Sequence, residues 1–281
     1  MEIARTVADV RKIVKKWKNE DNMIGLVPTM GFLHEGHASL IKKAVKENDK
    51  VIVSDFVNPI QFGEGEDLES YPRDFETDTK LCEKLGVDVI FYPEVNEMYH
   101  EQKTYVNIEE LSKGLCGSKR PVHFRGVCTV VSKLFNITKA DRAYFGQKDA
   151  QQLAIIKKMV EDLNFDIKIV DCPIVREADG LAMSSRNTYL NTEERKAALC
   201  LIKATKYGER NISKGMKSAR LIEIMSDIIK KEPLAKIDYI EVVDKKLLQS
   251  VEFIEEPVLV AMAVYIGKTR LIDNFSWDVE K

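Results

Sequence analysis

Apolar positions along the first 175 residues follow two alternating rhythms. Val7, Val10, Ile13, Val14 and Trp17 fall at helical spacing, and the short apolar run 24–27 ends at Pro28. Residues 37–47 then set Leu40, Ile41, Ala44 and Val45 on one face, and 50–57 is strand-like again. An apolar strand, a turn, a helix and a second apolar strand predict a βαβ unit, hence parallel pairing with a right-handed crossover. The rhythm continues with helices predicted over 75–85, 129–137 and 149–163, and strands over 87–92, 143–145 and 167–175. Such alternation predicts an α/β fold built on a doubly wound parallel sheet with helices on both faces. After Val175 the pattern changes. Helices over 193–211 and 218–231 precede strand-like runs at 237–243, 258–266 and 269–273, which predicts a smaller α+β domain with an antiparallel sheet. The expected division is 1–174 and 175–281, in keeping with 281 residues at roughly 150 per domain. Two stretches break the rhythm: 61–73 is acidic with glycines and a proline, a surface-loop composition, and 114–126 is glycine-rich and basic.

Composition narrows the function classes. Hydrophobic residues make up 44% of the chain, enough for a sizeable core, and 43 Lys plus Arg stand against 45 Asp plus Glu for a net charge of −2. That balance excludes a large phosphate-neutralising surface, so no nucleic-acid partner is expected, whereas a small nucleotide needs only a few local donors. No run approaches roughly 18 apolar residues, so no membrane span is expected. Residues 1–20 are amphipathic and charged, without the apolar core and small-residue cleavage site of a secretory signal. Five scattered cysteines, odd in number and never C-x-x-C, read as buried thiols in a reducing cytoplasm.

In open α/β sheets ligands sit beyond the carboxyl ends of the strands, so the turns that follow strands carry the candidate chemistry. The first is P-T-M-G-F-L-H-E-G-H at 28–37. Its two glycines mimic a phosphate loop, but His37-Ala38 stands where Lys-Ser/Thr belongs, and no G-x-G-x-x-G opens a helix. His34 and His37, three apart around Gly36 at a helix start, face one side of a helix entrance whose free N–H groups favour anions. The competing reading is one exposed histidine and one capping histidine; zinc lacks a third ligand nearby. The second turn, F-G-Q-K-D-A-Q-Q at 145–152, offers Gly146 for a tight turn, Lys148 as a point charge and Asp149 at an N-cap position, with Gln152 a turn further on. A plain capped helix has the same composition. The third, M-S-S-R at 183–186, joins two hydroxyls to an arginine, a phosphate clamp or a simple ST-turn. In F-V-N-P-I-Q-F at 56–62, Asn58 and Gln61 are amides that either read a small polar substrate or tie up loop backbone.

Taken together these motifs, with YPRD, RPVHFRGVCTVVSKLF, DGLAMSSRNTYL and TRLIDN, closely resemble the pantoate–β-alanine ligase family in the right order from about Pro28 to Asn274. HxGH with an MSSR segment is also similar to the wider nucleotidyltransferase superfamily of class I aminoacyl-tRNA synthetases. The resemblance implies a Rossmann-like first domain, a C-terminal lid domain, and ATP-dependent, AMP-forming condensation of (R)-pantoate with β-alanine through a pantoyl-adenylate. Another adenylyltransferase of the superfamily would lack the Asn58, Gln61 and Gln152 trio; a non-catalytic ATP-binding module would tolerate loss of His37 or Lys148. It further implies that ATP is held by Met30, Gly31, Phe32, Leu33, His34, Glu35, Gly36 and His37, by Gly146, Gln147, Lys148 and Asp149, by Val175, and by Met183, Ser184, Ser185 and Arg186. Within that set His37, His34, Lys148 and Arg186 are the catalytic candidates, with His37 the implied proton donor. Gln61 and Gln152 are implied to hold pantoate, with Asn58 and Arg120 as secondary contacts and Asp78 as a candidate Mg²⁺ ligand. A cytoplasmic homodimer is likewise implied. Asp55 departs from the family pattern, which more often has a hydroxyl or apolar residue before Phe56.

Overall fold

The computed structural model describes residues 1–278, so the last three positions of the expected second domain lie outside the described residues. The chain divides into two compact units, one formed by Met1–Glu109 and Arg120–Pro173, the other by Glu110–Lys119 and Ile174–Lys281.

The first unit is a six-stranded sheet of β1 (Glu2–Ala4), β2 (Ile24–Thr29), β3 (Lys50–Asp55), β4 (Val89–Phe91), β5 (Arg142–Gly146) and β6 (Lys168–Cys172), in the order β1-β4-β3-β2-β5-β6. Each of its strand pairs is parallel. The helices between strands are α1 (Val7–Asn19), α2 (Glu35–Glu47), α3 (Phe75–Leu85), the short α4 (Val95–Met98), α6 (His123–Thr138) and α7 (Ala150–Asp162); α5 (Leu115–Lys119) belongs to the other unit. Strand periodicity divides the core between two faces. Val27, Val51, Val53, Ile90 and Tyr144 pack with Leu40, Ile41 and Ala44 of α2 and Cys82 of α3. The alternate residues Ile24, Leu26, Ile52, Val89, Phe91, Ala143 and Phe145 are buried as well, so the central strands read as continuous apolar runs. The doubly wound α/β expectation holds. The sequence pattern missed β1, which is three residues long and largely exposed, and began α6 six residues late.

Strand order decides where a ligand can bind. From β2 the chain moves one way through β3 and β4, then returns to β2's other side to place β5 and β6. The crossovers therefore diverge between β2 and β5, and a crevice opens beyond their carboxyl ends. The turns that leave those two strands are 30–34 and 146–149.

The second unit carries an antiparallel sheet, β7 (Ala235–Asp244), β8 (Val258–Ile266) and β9 (Thr269–Trp277), with α8 (Thr192–Asn211) and α9 (Ser218–Ile229) packed on it. Leu201, Ala204, Leu221, Met225, Val260, Met262 and Val264 form its core. Asp273 is buried within this unit, yet it receives both guanidinium nitrogens of Arg176 at 2.7 and 3.0 Å and the Thr205 hydroxyl at 3.3 Å. The described cysteines are free thiols, four buried and Cys116 half-buried. Removing Arg176 would strand the Asp273 charge in the interior. Arg176→Ala should cost about 3–5 kcal/mol in denaturant unfolding, and Arg176→Ala with Asp273→Asn should recover part of it.

Candidate active site

The turn after β2 doubles back through two consecutive left-handed residues, Gly31 at φ 77° and Phe32 at φ 49°. A Cβ at Gly31 would collide with the Asp55 carboxyl, so only glycine fits there. Phe32 and Leu33 then aim their N–H groups at the two oxygens of Asp78, at 2.6 and 2.7 Å. Asp78 comes from the buried side of α3 and is itself buried. With both oxygens taken by backbone donors, it sits where it holds the turn.

Asp55, at the end of β3, lies within hydrogen-bonding reach of Asp78, a contact two ionised carboxylates cannot make. Its Oδ2 is buried with no other partner. Burial first, then the charge and hydrogen bond of Asp78, push the Asp55 carboxyl up to about 7; burial raises Asp78 as well, against the two N–H donors that favour its ionised form. With both Asp78 oxygens accepting backbone N–H bonds, Asp55 is the member that holds a proton below about pH 7 and donates it to Asp78. Both line a cavity of about 140 Å³ with Met30, Phe32, Phe75 and Tyr92.

Past this clamp the chain enters α2 with His34 as its N-cap. Gly36 N–H donates to His34 Nδ1 at 3.1 Å, and His34 N–H donates to His37 Nδ1 at 3.3 Å. The rings stack with centroids 4.0 Å apart. Burial, then the nearby His34 and Lys148, hold His37 well below the usual imidazole range. Because its Nδ1 accepts, a neutral His37 carries its proton on Nε2. The capping and ligand-binding readings of this motif are therefore compatible: capping occupies Nδ1 of each ring, and Nε2–H of the neutral His37 serves as a hydrogen-bond donor. The histidine implied as proton donor starts out as a neutral one.

Lys148 and Asp149 leave β5 in the turn Gln147–Asp149, with Lys148 Nζ 3.7 Å from Asp149 Oδ1. Asp149 occupies the N-cap position of α7 but makes no side-chain cap bond. Gln152 is half-buried in the first turn of α7.

Asn58 precedes and Gln61 ends the 3₁₀ turn Pro59–Gln61 after β3, and both are buried. Asn58 Nδ2 donates to Gln61 Oε1 at 2.9 Å and to the Gly126 carbonyl at 3.2 Å, and Gln61 Nε2 reaches Met30 Sδ at 2.9 Å. Met30 thereby joins the two motifs. A Cβ at Gly126 would stand 2.5 Å from Gln61 Cα, so α6 approaches this turn only because residue 126 is glycine. Beneath it, Arg120 donates from Nη1 to His123 Nε2 at 3.2 Å, which makes Nε2 the acceptor and leaves Nδ1–H for the Gln61 carbonyl at 3.0 Å. Burial, then Arg120, bring His123 down to about 4, so the ring is neutral. Arg120 is also ion-paired with Glu66 and so is partly committed within the protein.

The remaining sequence candidates lie in the second unit. Met183 N–H donates to the Val175 carbonyl at 3.0 Å, and Ser184 caps the turn Ser185–Tyr189 by accepting from Arg186 N–H at 3.3 Å. Val175 and 183–186 are thus gathered beside one another. Asn187 and Arg195 tie down the neighbouring turn through Glu177 at 2.7 and 2.8 Å. Tyr99 and His123 are the site-forming residues sequence reasoning missed. His123 stood inside a quoted motif; Tyr99 stood in none.

Residues 2–276 match the family model described as Pantoate-beta-alanine ligase. A pantothenate synthetase of Clostridium botulinum (strain Loch Maree / Type A3) is 60% identical over 279 residues, covering 99% of each chain. One of Enterococcus faecalis (strain ATCC 700802 / V583) is 61% identical over 282 residues, covering all of both. The crystal structure of the Thermus thermophilus pantothenate synthetase superposes with a TM-score of 0.92 at 41% identity, covering 98% of this chain and 99% of that one. A Francisella tularensis pantoate-beta-alanine ligase, crystallised with beta-gamma ATP and beta-alanine, gives 0.80 at 37% identity over 98% and 97%.

The Asp55 carboxyl yields a signed pH effect. Its pKa is raised in the folded protein, so its stabilising contribution is complete below about 4 and is lost as pH rises through about 7. Asp55→Asn keeps the donor without the titration. Melting curves between pH 5 and 8 should show the variant gaining stability relative to the parent as pH rises; parallel curves would remove the proton from Asp55.

Proposed function

The chain belongs to the pantoate-beta-alanine ligase family, and on that premise we propose how its residues join (R)-pantoate to β-alanine at the expense of ATP. A carboxylate acylates poorly because its leaving group would be oxide. Attack of the pantoate carboxylate on the α-phosphorus of ATP expels pyrophosphate and leaves a pantoyl-adenylate with AMP as leaving group. The free amine of β-alanine then attacks that carbonyl, AMP departs, and the amine gives up a proton. The protein has little covalent chemistry to do, so positioning and charge stabilisation carry the rate.

The observation that supports this reading is the stacked His34–His37 pair at the N-terminus of α2, with His37 kept neutral beside Lys148. Its ring N–H, the helix entrance and the ammonium suit triphosphate oxygens. Bound polyphosphate would raise the His37 pKa toward neutrality, so the ring gains proton-donor character only with nucleotide present. Gly31, Phe32, Leu33 and Glu35 shape this turn, and Gly146, Gln147 and Asp149 the one facing the ribose. Val175 through its backbone, and Met183, Ser184, Ser185 and Arg186, are assigned to adenine and phosphate. Gln61 and Gln152 are assigned to pantoate, with Asn58 and Arg120 behind them.

Mg²⁺ is implied by the resemblance, with Asp78 its candidate ligand. Among the described residues no group of three or more His, Cys, Asp or Glu is gathered, and each oxygen of Asp78 accepts a backbone N–H of the turn. We assign Asp78 to positioning and route no step through a metal. No helix of the described residues is long and apolar enough to cross a membrane. A cytoplasmic location and a homodimer complete the proposal on family resemblance, and light scattering after gel filtration checks the dimer.

Pyrophosphate release from ATP should require pantoate, and pantothenate should form only when β-alanine is added. Equal turnover with unrelated carboxylates would sink the assignment. His37→Ala and Lys148→Ala should each lower adenylate formation by about 100-fold or more, measured by single-turnover pyrophosphate release. Gln152→Ala should mainly raise the pantoate KM.

A further inference from the structure

Three hydrogen bonds run in series through Asn58 and Gln61 from a residue that no motif contains. Tyr99, just after α4, places its hydroxyl 2.6 Å from Asn58 Oδ1. Its ring is fixed by Phe56, with centroids 6.0 Å apart, and by the Lys133 ammonium 5.5 Å from the ring centre. Asn58 Nδ2 then divides between the Gly126 carbonyl and Gln61 Oε1, and Gln61 Nε2 ends the series at Met30 Sδ.

The polarity of this chain follows from its one unambiguous member. A backbone carbonyl only accepts, so the Asn58 edge facing Gly126 must be the NH₂ group. Its second N–H then requires an oxygen on the facing edge of Gln61, and its own oxygen requires a donor, which the Tyr99 hydroxyl supplies. Burial pushes the Tyr99 phenol above its ordinary range, so the hydroxyl keeps its proton at physiological pH. The far edge of Gln61 is therefore a donor. Its partner in the protein is a thioether, a weak acceptor that a substrate oxygen displaces readily.

We infer that Tyr99 is a positioning residue for pantoate, setting the amide of Gln61 so that N–H and not C=O faces the substrate. This rests on Gln61 being a pantoate residue, as assigned above. The geometry selects a substrate with an acceptor oxygen, carboxylate or hydroxyl, at that position and discriminates against an ammonium there. Without the phenolic hydroxyl, the Asn58 oxygen is left buried and unpaired. Turning the Asn58 amide over relieves that loss only by setting its oxygen against the Gly126 carbonyl. The two orientations approach each other in energy, and the polarity of Gln61 is no longer specified.

Tyr99→Phe keeps the ring and its packing. The expected result is a roughly tenfold higher pantoate KM, the worth of about one buried hydrogen bond, with an unchanged ATP KM and a smaller change in kcat. Gln61→Glu, which presents acceptors at both ends, should impair pantoate use at least as much as Gln61→Ala. The decisive comparison is Tyr99→Phe combined with Gln61→Ala, which should be no worse for pantoate than Gln61→Ala alone. Multiplying effects in that double variant, or a parental pantoate KM in Tyr99→Phe while Gln61→Ala is impaired, would overturn this inference alone. A parental pantoate KM in Gln61→Ala would overturn the assignment of Gln61, and the inference with it. Thermal melts of Tyr99→Phe within a few degrees of the parent exclude general loosening as the cause.

Discussion

The carboxylate of Asp78 against the backbone of Phe32 and Leu33 is the contact on which the site depends. Two residues in succession at positive φ make a turn that costs energy, and one of them is not glycine. Two charge-assisted bonds from a buried acid offset that cost and hold the turn in one form. Everything downstream takes its direction from there. His34 reaches the cap position of α2, His37 stacks on it one turn later, and Met30 on the near side points its sulfur at Gln61. Below about pH 7 Asp55 closes the arrangement by keeping a proton, so that two adjacent buried carboxyls carry one negative charge.

Much of the site around this clamp consists of neutral donors. His37 and His123 are kept uncharged by burial, and Asn58 and Gln61 are amides. The Arg120 guanidinium has a carboxylate partner in Glu66. Neutral donors can line a closed space without the desolvation penalty of unpaired cations, and they stabilise an anion once one arrives. Lys148 is the full positive charge that bears directly on His37. A chain with net charge −2 can bind a triphosphate by this means because the attraction is local.

Legibility divided along physical lines. The longer strands and helices of both units could be read because burial imposes periods of 2 and 3.6 on the side chains that face a core. The HxGH and FGQKDAQQ turns could be read because each is one contiguous segment, and proximity along the chain guarantees proximity in space. Asp78 did not stand out among the many carboxylates around it, although α3 buries it together with Cys82. The family resemblance made it a candidate metal ligand, and only its two N–H partners show what its oxygens are doing. Tyr99 left no trace, since it is 41 residues from Asn58 and meets it through a crossover. Nor did any local pattern mark 110–119 as a segment that packs with the second unit.

The linear order of residues was enough for the α/β alternation, the change of architecture near Val175 and the family. These are properties of short windows, where side-chain periodicity and contiguous motifs act within a few residues. Folding in three dimensions set the protonation and polarity of the site: a neutral His37, a protonated Asp55, and an amide at Gln61 with its N–H outward. Those depend on burial and on partners brought in by other elements, Asp78 from α3, Tyr99 from beyond α4 and Gly126 from α6. The energy of a proton or an amide orientation is set by what surrounds it in space, and that neighbourhood exists only once the chain has folded.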